Sequence, residues 1–125
     1  MKTLIIEDEK AALRNLKAVM QEVNTDFEIV GEVDSIFDGV EWFRTHPMPE
    51  LVFMDIRMPG LNGMMAAHEL REMDHTVVLV FLTSLAQYAV ESYEVEATDY
   101  ILKPITAAAL DLKLPRILNR CMVES

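Results

Sequence analysis

Polar residues that could do chemistry follow short apolar runs at four places in the chain. They are Glu7 with Asp8, Asp55, Thr83, and Lys103 with Pro104. Asp55 is the strongest candidate for a phosphoryl acceptor, because it leaves an apolar run while an acidic pair follows an earlier run. The loops after parallel strands share one edge of an open sheet. We therefore expect these side chains to meet in a single crevice.

The elements that must position these residues alternate along the chain. Apolar runs predict strands near residues 2–6, 28–33, 51–54, 77–82 and 99–102, separated by segments of helical period, as in βα units around a parallel sheet. Ser35 and Thr106 are predicted caps of the second and fifth helices. A turn over residues 59–63 leads into the third helix, and the fourth is predicted over residues 85–93. Pro115 predicts a kink or an early end in the fifth.

Composition excludes several classes of protein. With 125 residues and a formal net charge of -10, the chain fits one domain and lacks the basic patch that nucleic-acid binding requires. No apolar run is long enough to cross a bilayer and no signal peptide is visible, so we expect a cytoplasmic protein. Cys121 is the sole cysteine, and the three histidines lack metal-ligand spacing. The four glycines form no phosphate-loop or dinucleotide motif.

A known family shares this set of residues. The pair Glu7-Asp8, Asp55 within the segment Phe53–Gly60, Thr83, Tyr100 and Lys103-Pro104 resemble the receiver domain of bacterial two-component response regulators, and the resemblance covers essentially residues 1–125. Three segments, residues 4–9, 87–90 and 98–104, are most similar to receivers attached to LytTR-type DNA-binding domains. The resemblance implies a flavodoxin-like doubly wound (βα)5 fold with sheet order 2-1-3-4-5. It also implies that any effector domain is absent from this chain.

The resemblance assigns a magnesium site to the acidic residues. Asp8 and Asp55 would ligate Mg²⁺ directly, the backbone carbonyl of Arg57 would add an oxygen, and Glu7 would bind directly or through water. The chemistry agrees, because three carboxylates could not accept a phosphoryl group without a cation to neutralise the charge, and Mg²⁺ prefers hard oxygen ligands. Taken by itself, the run from Glu7 to Glu9 would indicate a solvated acidic turn at a helix start.

The remaining residues would bind the phosphoryl group and respond to it. Lys103 would supply a positive charge and Thr83 a hydroxyl donor. In the family the peptide bond before the proline, here Pro104, is cis, which only proline makes accessible at low cost. Ser84 is a small residue that leaves Asp55 open, and Tyr100 matches an aromatic position whose ring moves inward when the threonine turns toward the phosphoryl group.

The implied function is phosphorylation-controlled signalling. A sensor histidine kinase would donate to Asp55, and the domain would switch an output surface, by analogy a homodimer through the predicted fourth helix, fifth strand and fifth helix. Direct nucleic-acid and membrane binding by this domain are not expected. One alternative is a small Mg²⁺-dependent aspartyl-phosphate phosphatase, but Arg57 stands where such enzymes place a second aspartate. Another is a degenerate receiver that acts only as an interaction module.

Overall fold

The elements of the chain are described from a computed structural model, which covers residues 1–23, 26–55, 68, 70–74, 76–83 and 99–124. In chain order they are β1 (Lys2–Ile6), α1 (Lys10–Val23), β2 (Glu28–Val33), α2 (Ile36–Thr45), β3 (Leu51–Asp55), β4 (Val78–Thr83), β5 (Asp99–Leu102) and the C-terminal helix (Ala107–Glu124). The predicted strands agree with these bounds to within one residue at either end. The predicted fourth helix lies outside the described residues.

The five strands form one parallel sheet in the order β2-β1-β3-β4-β5. Strand β3 lies at the centre and all of its residues are buried, as expected for a parallel strand that is covered on both faces. The order confirms the flavodoxin-like doubly wound fold. Because the chain reverses its direction of winding between β1 and β3, the carboxyl ends of these two strands flank the position where such folds bind ligands.

Alternating residues of the strands face two separate cores. On one face, Leu4 and Ile6 of β1 pack in a buried cluster with Val40 and Phe43 of α2. On the other face, Ile5 packs with residues of α1 and the C-terminal helix, which include Leu16, Met20, Leu110 and Ile117. Leu16 and Met20 of α1 are therefore buried in this second core, and the helices cover both faces of the sheet.

Side-chain caps determine where two helices begin. The hydroxyl of Ser35 accepts a hydrogen bond from the backbone N–H of Asp38 at 3.0 Å, and the hydroxyl of Thr106 accepts one from Ala109 at 3.1 Å. Each satisfies a donor that a helix start would otherwise leave unpaired. Both predicted caps are confirmed.

The predicted early end at Pro115 is wrong, because the C-terminal helix continues through it to Glu124. Proline removes the N–H that would bond to the carbonyl four residues earlier, at Asp111. Both Pro115 and Asp111 are exposed, so water can reach that carbonyl in place of the missing donor. A bend at Pro115 stays a prediction.

Part of the predicted third helix is described. Residues 68 and 70–73 are helical, and Leu70 is fully buried. The preceding turn, residues 59–63, lies outside the described residues. Across the described residues, no helix combines the length and the apolar character needed to span a membrane.

Candidate functional site

The sheet brings the candidate residues to one edge. Glu7 directly follows β1, Asp55 is the last residue of β3, Thr83 is the last of β4, and Lys103 directly follows β5. Neighbouring strands end in register, with Asp55 beside Leu82 and Thr83 beside Leu102. The expected convergence therefore follows from parallel pairing, since every strand ends at the same edge.

Three carboxylates cluster at this edge. Glu7, Asp8 and Asp55 each offer an oxygen, and these oxygens lie within 4.8 Å of one another. It is the one group of three or more potential metal ligands that share such a spacing within the described part of the chain. Oxygens of this kind and spacing suit a hard divalent cation such as Mg²⁺.

Lys103 reaches into the same cluster from the end of β5. Its Nζ lies 2.6 Å from Glu7 Oε1 and 3.0 Å from Asp55 Oδ2. The side chains of Glu7 and Asp55 are almost wholly buried, with 1% and 4% of their areas exposed, while 17% of Lys103 remains exposed. The ammonium group thus bridges two buried carboxylates and offsets part of their mutual repulsion.

The charges at this edge are nevertheless incompletely compensated. Glu7 Oε1 is buried without a hydrogen-bond partner of acceptable geometry, although Lys103 Nζ is close to it. Its other oxygen accepts a weak hydrogen bond from the backbone N–H of Glu9 at 3.3 Å. Three carboxylates here face one lysine ammonium, and burying an excess of negative charge is costly, so an added cation would offset it. The residues present therefore fit a divalent metal.

The pKa of Glu7 is raised in this environment. Burial and the nearby Asp55 carboxylate raise it from 4.5 to about 7, against the opposing effect of Lys103. Glu7 consequently holds a proton over part of the neutral range when no cation is bound.

Lys103 shows the complementary effect. Burial by itself would lower its pKa, but the close contacts with the Glu7 and Asp55 carboxylates and their negative charges raise it above the ordinary value. The lysine therefore stays charged throughout the physiological pH range. A permanent compact cation beside Asp55 can neutralise charge that gathers on oxygens transferred to that residue.

The segment after Lys103 is held from several sides. The Lys103–Pro104 peptide bond is cis, which is the isomer that the family resemblance implies. Ile105, which follows Pro104, is 5% exposed and lies in the core that it shares with α1. Its carbonyl accepts a hydrogen bond from the Asn15 side chain at 2.9 Å. These contacts fasten the segment to α1.

An open cleft of about 660 Å³ lies above the acceptor. It is lined by Glu9, Ala11, Ala12, Asn15, Asp55, Lys103, Pro104 and Ile105. Residues of α1 and the segment before it form one wall, and the residues after β5 form the other. Small side chains at Ala11 and Ala12 leave room beside Asp55, so a donor group can approach the carboxylate.

Tyr100 lies on β5 beside a buried ionic network. Lys113 of the C-terminal helix places its Nζ 5.0 Å from the centre of the Tyr100 ring and 3.0 Å from Asp99 Oδ1. The same oxygen accepts a hydrogen bond from the backbone N–H of Tyr100 at 2.8 Å. The partly buried tyrosine thus packs against the sheet and also contacts a cation on the C-terminal helix.

Three other residues expected at the site are described only in part or lie outside the described residues. Arg57 and Ser84 lie outside the described residues, and of Thr83 only the backbone position at the end of β4 is described. Their roles stay predictions.

Sequence reasoning missed three residues near the site. They are Asn15, Asp99 and Lys113, which make the contacts given above. Asp99 lies in the segment 98–104 that carries the family resemblance, but no role was predicted for it, and Asn15 and Lys113 stand in no motif. Asn15 and Lys113 lie on helices, where an exposed polar residue usually indicates only a solvated face. Their contacts depend on how the helices pack.

The chain is similar to known proteins over most of its length. A family model described as the response regulator receiver domain matches residues 3–115. The transcriptional regulatory protein BtsR of Escherichia coli K12 is 38% identical over 118 residues, which cover 94% of this chain and 48% of that protein. The sensory transduction protein LytT of Bacillus anthracis is 38% identical over 104 residues, or 83% of this chain and 42% of that protein.

A solved structure is similar over nearly the whole chain. The response regulatory domain of protein mrkE from Klebsiella pneumoniae has a TM-score of 0.87 and 32% identity, and the match covers 98% of this chain and 99% of that one. The chain spans about half the length of the curated relatives named above.

Proposed function

The chain belongs to the response regulator receiver domain family of two-component signalling systems, and on that premise we propose that it accepts a phosphoryl group on Asp55 in a Mg²⁺-dependent reaction. The donor would be a phosphohistidine of a sensor histidine kinase, the class of partner with which receiver domains interact. Members of this family are signalling domains and not conventional enzymes. The proposal names the acceptor, the cation and the output of this particular chain.

One observation carries the proposal. A buried carboxylate, Asp55, opens onto a cleft while a charged lysine contacts it at 3.0 Å and two further carboxylates lie close by. A purely structural ion pair would not require three clustered acids beside one lysine. A site for a cation and a transferred phosphoryl group accounts for all of these features together.

The proposed transfer requires little covalent chemistry from the protein. An oxygen of Asp55 attacks the phosphorus, a P–O bond forms, the P–N bond to the donor imidazole breaks, and the imidazole nitrogen keeps the electron pair and takes a proton from solvent. Catalysis then rests on position and charge. Lys103 is already beside Asp55, so its ammonium group can move from a carboxylate oxygen to an oxygen of the phosphoryl group without leaving the cleft.

Glu7, Asp8 and Asp55 would hold Mg²⁺, with the Arg57 carbonyl as a further predicted ligand. When bound, the cation would neutralise charge on the transferred oxygens and orient them. The raised pKa of Glu7 gives this residue a second role. Below about pH 7 it carries a proton when the cation is absent, and it would lose that proton when the cation binds, because metal-ligating carboxylates must be ionised.

The output proposed for this domain is control of transcription. The relatives BtsR and YpdB are named as transcriptional regulatory proteins, and the chain covers less than half of each. We propose that residues 1–125 are the receiver of a longer regulator with a LytTR-type DNA-binding domain. Phosphorylation would then change self-association through the face that includes β5 and the C-terminal helix, with Thr83, Ser84 and Tyr100 as the responding residues.

The experiment that tests the proposal is intact-mass measurement after incubation with Mg²⁺ and phosphoramidate. We expect a transient gain of one phosphoryl group by the wild type and none by Asp55→Asn, which keeps the shape but loses the nucleophilic charge. Asp111→Asn, at an exposed position of the C-terminal helix, is the matched control and should label normally. Equal labelling of Asp55→Asn and wild type would contradict the proposal, and free phosphate release from a phosphomonoester would favour the phosphatase alternative.

A further inference from the structure

Asn15 makes a long-range contact that none of the roles above includes. It lies on α1, and its side-chain Nδ2 donates a hydrogen bond to the backbone carbonyl of Ile105 at 2.9 Å, across 90 residues of sequence. Both residues line the cleft that contains Asp55 and Lys103. The hydrogen bond therefore joins the two walls of the cleft beside the candidate acceptor.

The segment that receives this hydrogen bond is the one that carries Lys103. Ile105 stands two residues after the lysine, and its side chain is buried against α1. The following residue, Thr106, caps the C-terminal helix through its hydroxyl. The carbonyl that Asn15 binds belongs to the Ile105–Thr106 peptide bond. Asn15, the side chain of Ile105 and the hydroxyl of Thr106 thus all hold the end of the short segment that begins with Lys103.

The position of Lys103 must be accurate for its proposed task. Its Nζ contacts Glu7 Oε1 at 2.6 Å and Asp55 Oδ2 at 3.0 Å. A change of about 1 Å in the placement of a group at a reacting centre can reduce a rate by up to ~100-fold. A tether that prevents the two walls of the cleft from separating would therefore affect transfer through the lysine.

We infer that Asn15 is a positioning residue, whose hydrogen bond to the Ile105 carbonyl sets the width of the cleft and holds Lys103 against Asp55. This inference rests on the proposed function. It adds a residue that touches neither the phosphoryl group nor the cation and acts through the segment after β5. Because Asn15 is no ligand of the acidic cluster, its loss leaves the affinity for Mg²⁺ in place.

The test compares wild type, Asn15→Ala and Asn119→Ala. Asn119 is an exposed asparagine of the C-terminal helix, so its variant controls for removal of an amide from a helix surface. The rate of phosphoryl gain is measured by intact mass with phosphoramidate and Mg²⁺ at saturating concentrations, at a temperature where all three proteins are folded. The Mg²⁺ concentration for half-maximal thermal stabilisation is measured in parallel.

A second readout reports on the lysine itself. It is the ¹H–¹⁵N signal of the Lys103 ammonium group, assigned by its loss in Lys103→Met, which we expect to be observable because two carboxylates hold the group. A change that only lowers stability would not move this signal in a folded protein. Release of Lys103 from its position would broaden or shift it.

For Asn15→Ala we expect the maximal rate to fall by about threefold to tenfold, the Mg²⁺ midpoint to stay within about twofold of wild type, and the ammonium signal to broaden. Asn119→Ala should match wild type in all three measurements. An unchanged maximal rate for Asn15→Ala overturns the inference, and so does a reduced rate with an unchanged ammonium signal. Failure of the wild type to gain a phosphoryl group would instead show that the proposed function is wrong.

Discussion

The substitution Glu7→Gln tests how much the buried, charged carboxylate of Glu7 destabilises the folded protein when no cation is bound. Burial raises the pKa of Glu7 from 4.5 to about 7 in the folded protein. A raised folded pKa means that the folded state binds the proton more tightly than the unfolded state. Its contribution to stability is full below pH 4.5 and is lost as the pH rises through about 7. Glutamine has the shape of the protonated acid and does not titrate.

The magnitude follows from the shift. The difference between about 7 and 4.5, at 1.36 kcal/mol for each pKa unit, sets an upper limit of about 3 kcal/mol. In a metal chelator, Glu7→Gln should therefore be more stable than wild type by about 1–3 kcal/mol at pH 8, and the difference should shrink as the pH is lowered toward 4.5. For a domain of this size that corresponds to roughly 3–12 °C in Tm.

The assay is thermal unfolding of both proteins at several pH values between 5 and 8.5, with chelator and again with Mg²⁺. Addition of Mg²⁺ should reverse the order of stability, because the wild type keeps a carboxylate that Gln lacks. Glu9→Gln, which removes one charge from an exposed position nearby, controls for net charge. A difference in stability between wild type and Glu7→Gln that stays constant from pH 5 to 8.5 in chelator would refute the reasoning.

Three further changes have defined expectations. Asp8→Ala should remove most of the thermal stabilisation that Mg²⁺ gives the wild type, which is measured as the shift of Tm with Mg²⁺ concentration; an unchanged shift would exclude Asp8 as a ligand. Pro115→Ala should stabilise the protein by up to about 3 kcal/mol in chemical unfolding, because alanine restores a helical hydrogen bond at an exposed position; lower stability would mean that the proline fits a bend there. Thr83→Ala should bind a beryllofluoride phosphoryl mimic with Mg²⁺, but it should not show the change in self-association that we expect sedimentation to detect for the wild type. Equal changes in both proteins would mean that Thr83 does not link phosphorylation to self-association.

Much of the fold could be predicted from the sequence because the strands are buried on both faces. The run from Leu51 to Met54 has no polar residue, as a central parallel strand requires, and the residue after it is placed by the end of the strand. Helix starts at Ser35 and Thr106 were predictable because each hydroxyl precedes a segment of helical period. Strand order came from the family resemblance, since periodicity carries no information about which strands are neighbours.

The residues of the candidate site could be predicted from the sequence, but the distances and contacts between them could not. Residue types at strand ends indicate that Glu7, Asp55 and Lys103 meet, whereas the contact of one lysine with two acids depends on the path of the segment after β5. The burial that raises the pKa of Glu7 likewise depends on packing above it. The hydrogen bond from Asn15 to Ile105 joins positions 90 residues apart, and no local sequence pattern can predict it.

The continuation of the helix through Pro115 has a different cause. Proline is unfavourable in a helix interior by about 3 kcal/mol, which led to the expectation of an early end. Packing overrides this preference here, because Leu114 and Ile117 on either side of the proline are buried. The residues beyond Pro115 are held in the helix by the core that Ile117 shares with α1 and the sheet.

The central claim is that Asp55 accepts the phosphoryl group, and locating the label tests it most directly. After incubation with Mg²⁺ and phosphoramidate, borohydride reduces an aspartyl phosphate to homoserine at the labelled position. The tryptic peptide of residues 45–57 contains Asp55 as its only aspartate, while Glu7 and Asp8 fall in a separate peptide of residues 3–10. We predict homoserine at Asp55 in the first peptide, dependent on Mg²⁺. Homoserine at another aspartate, or none in protein whose intact mass shows a phosphoryl group, would contradict the account.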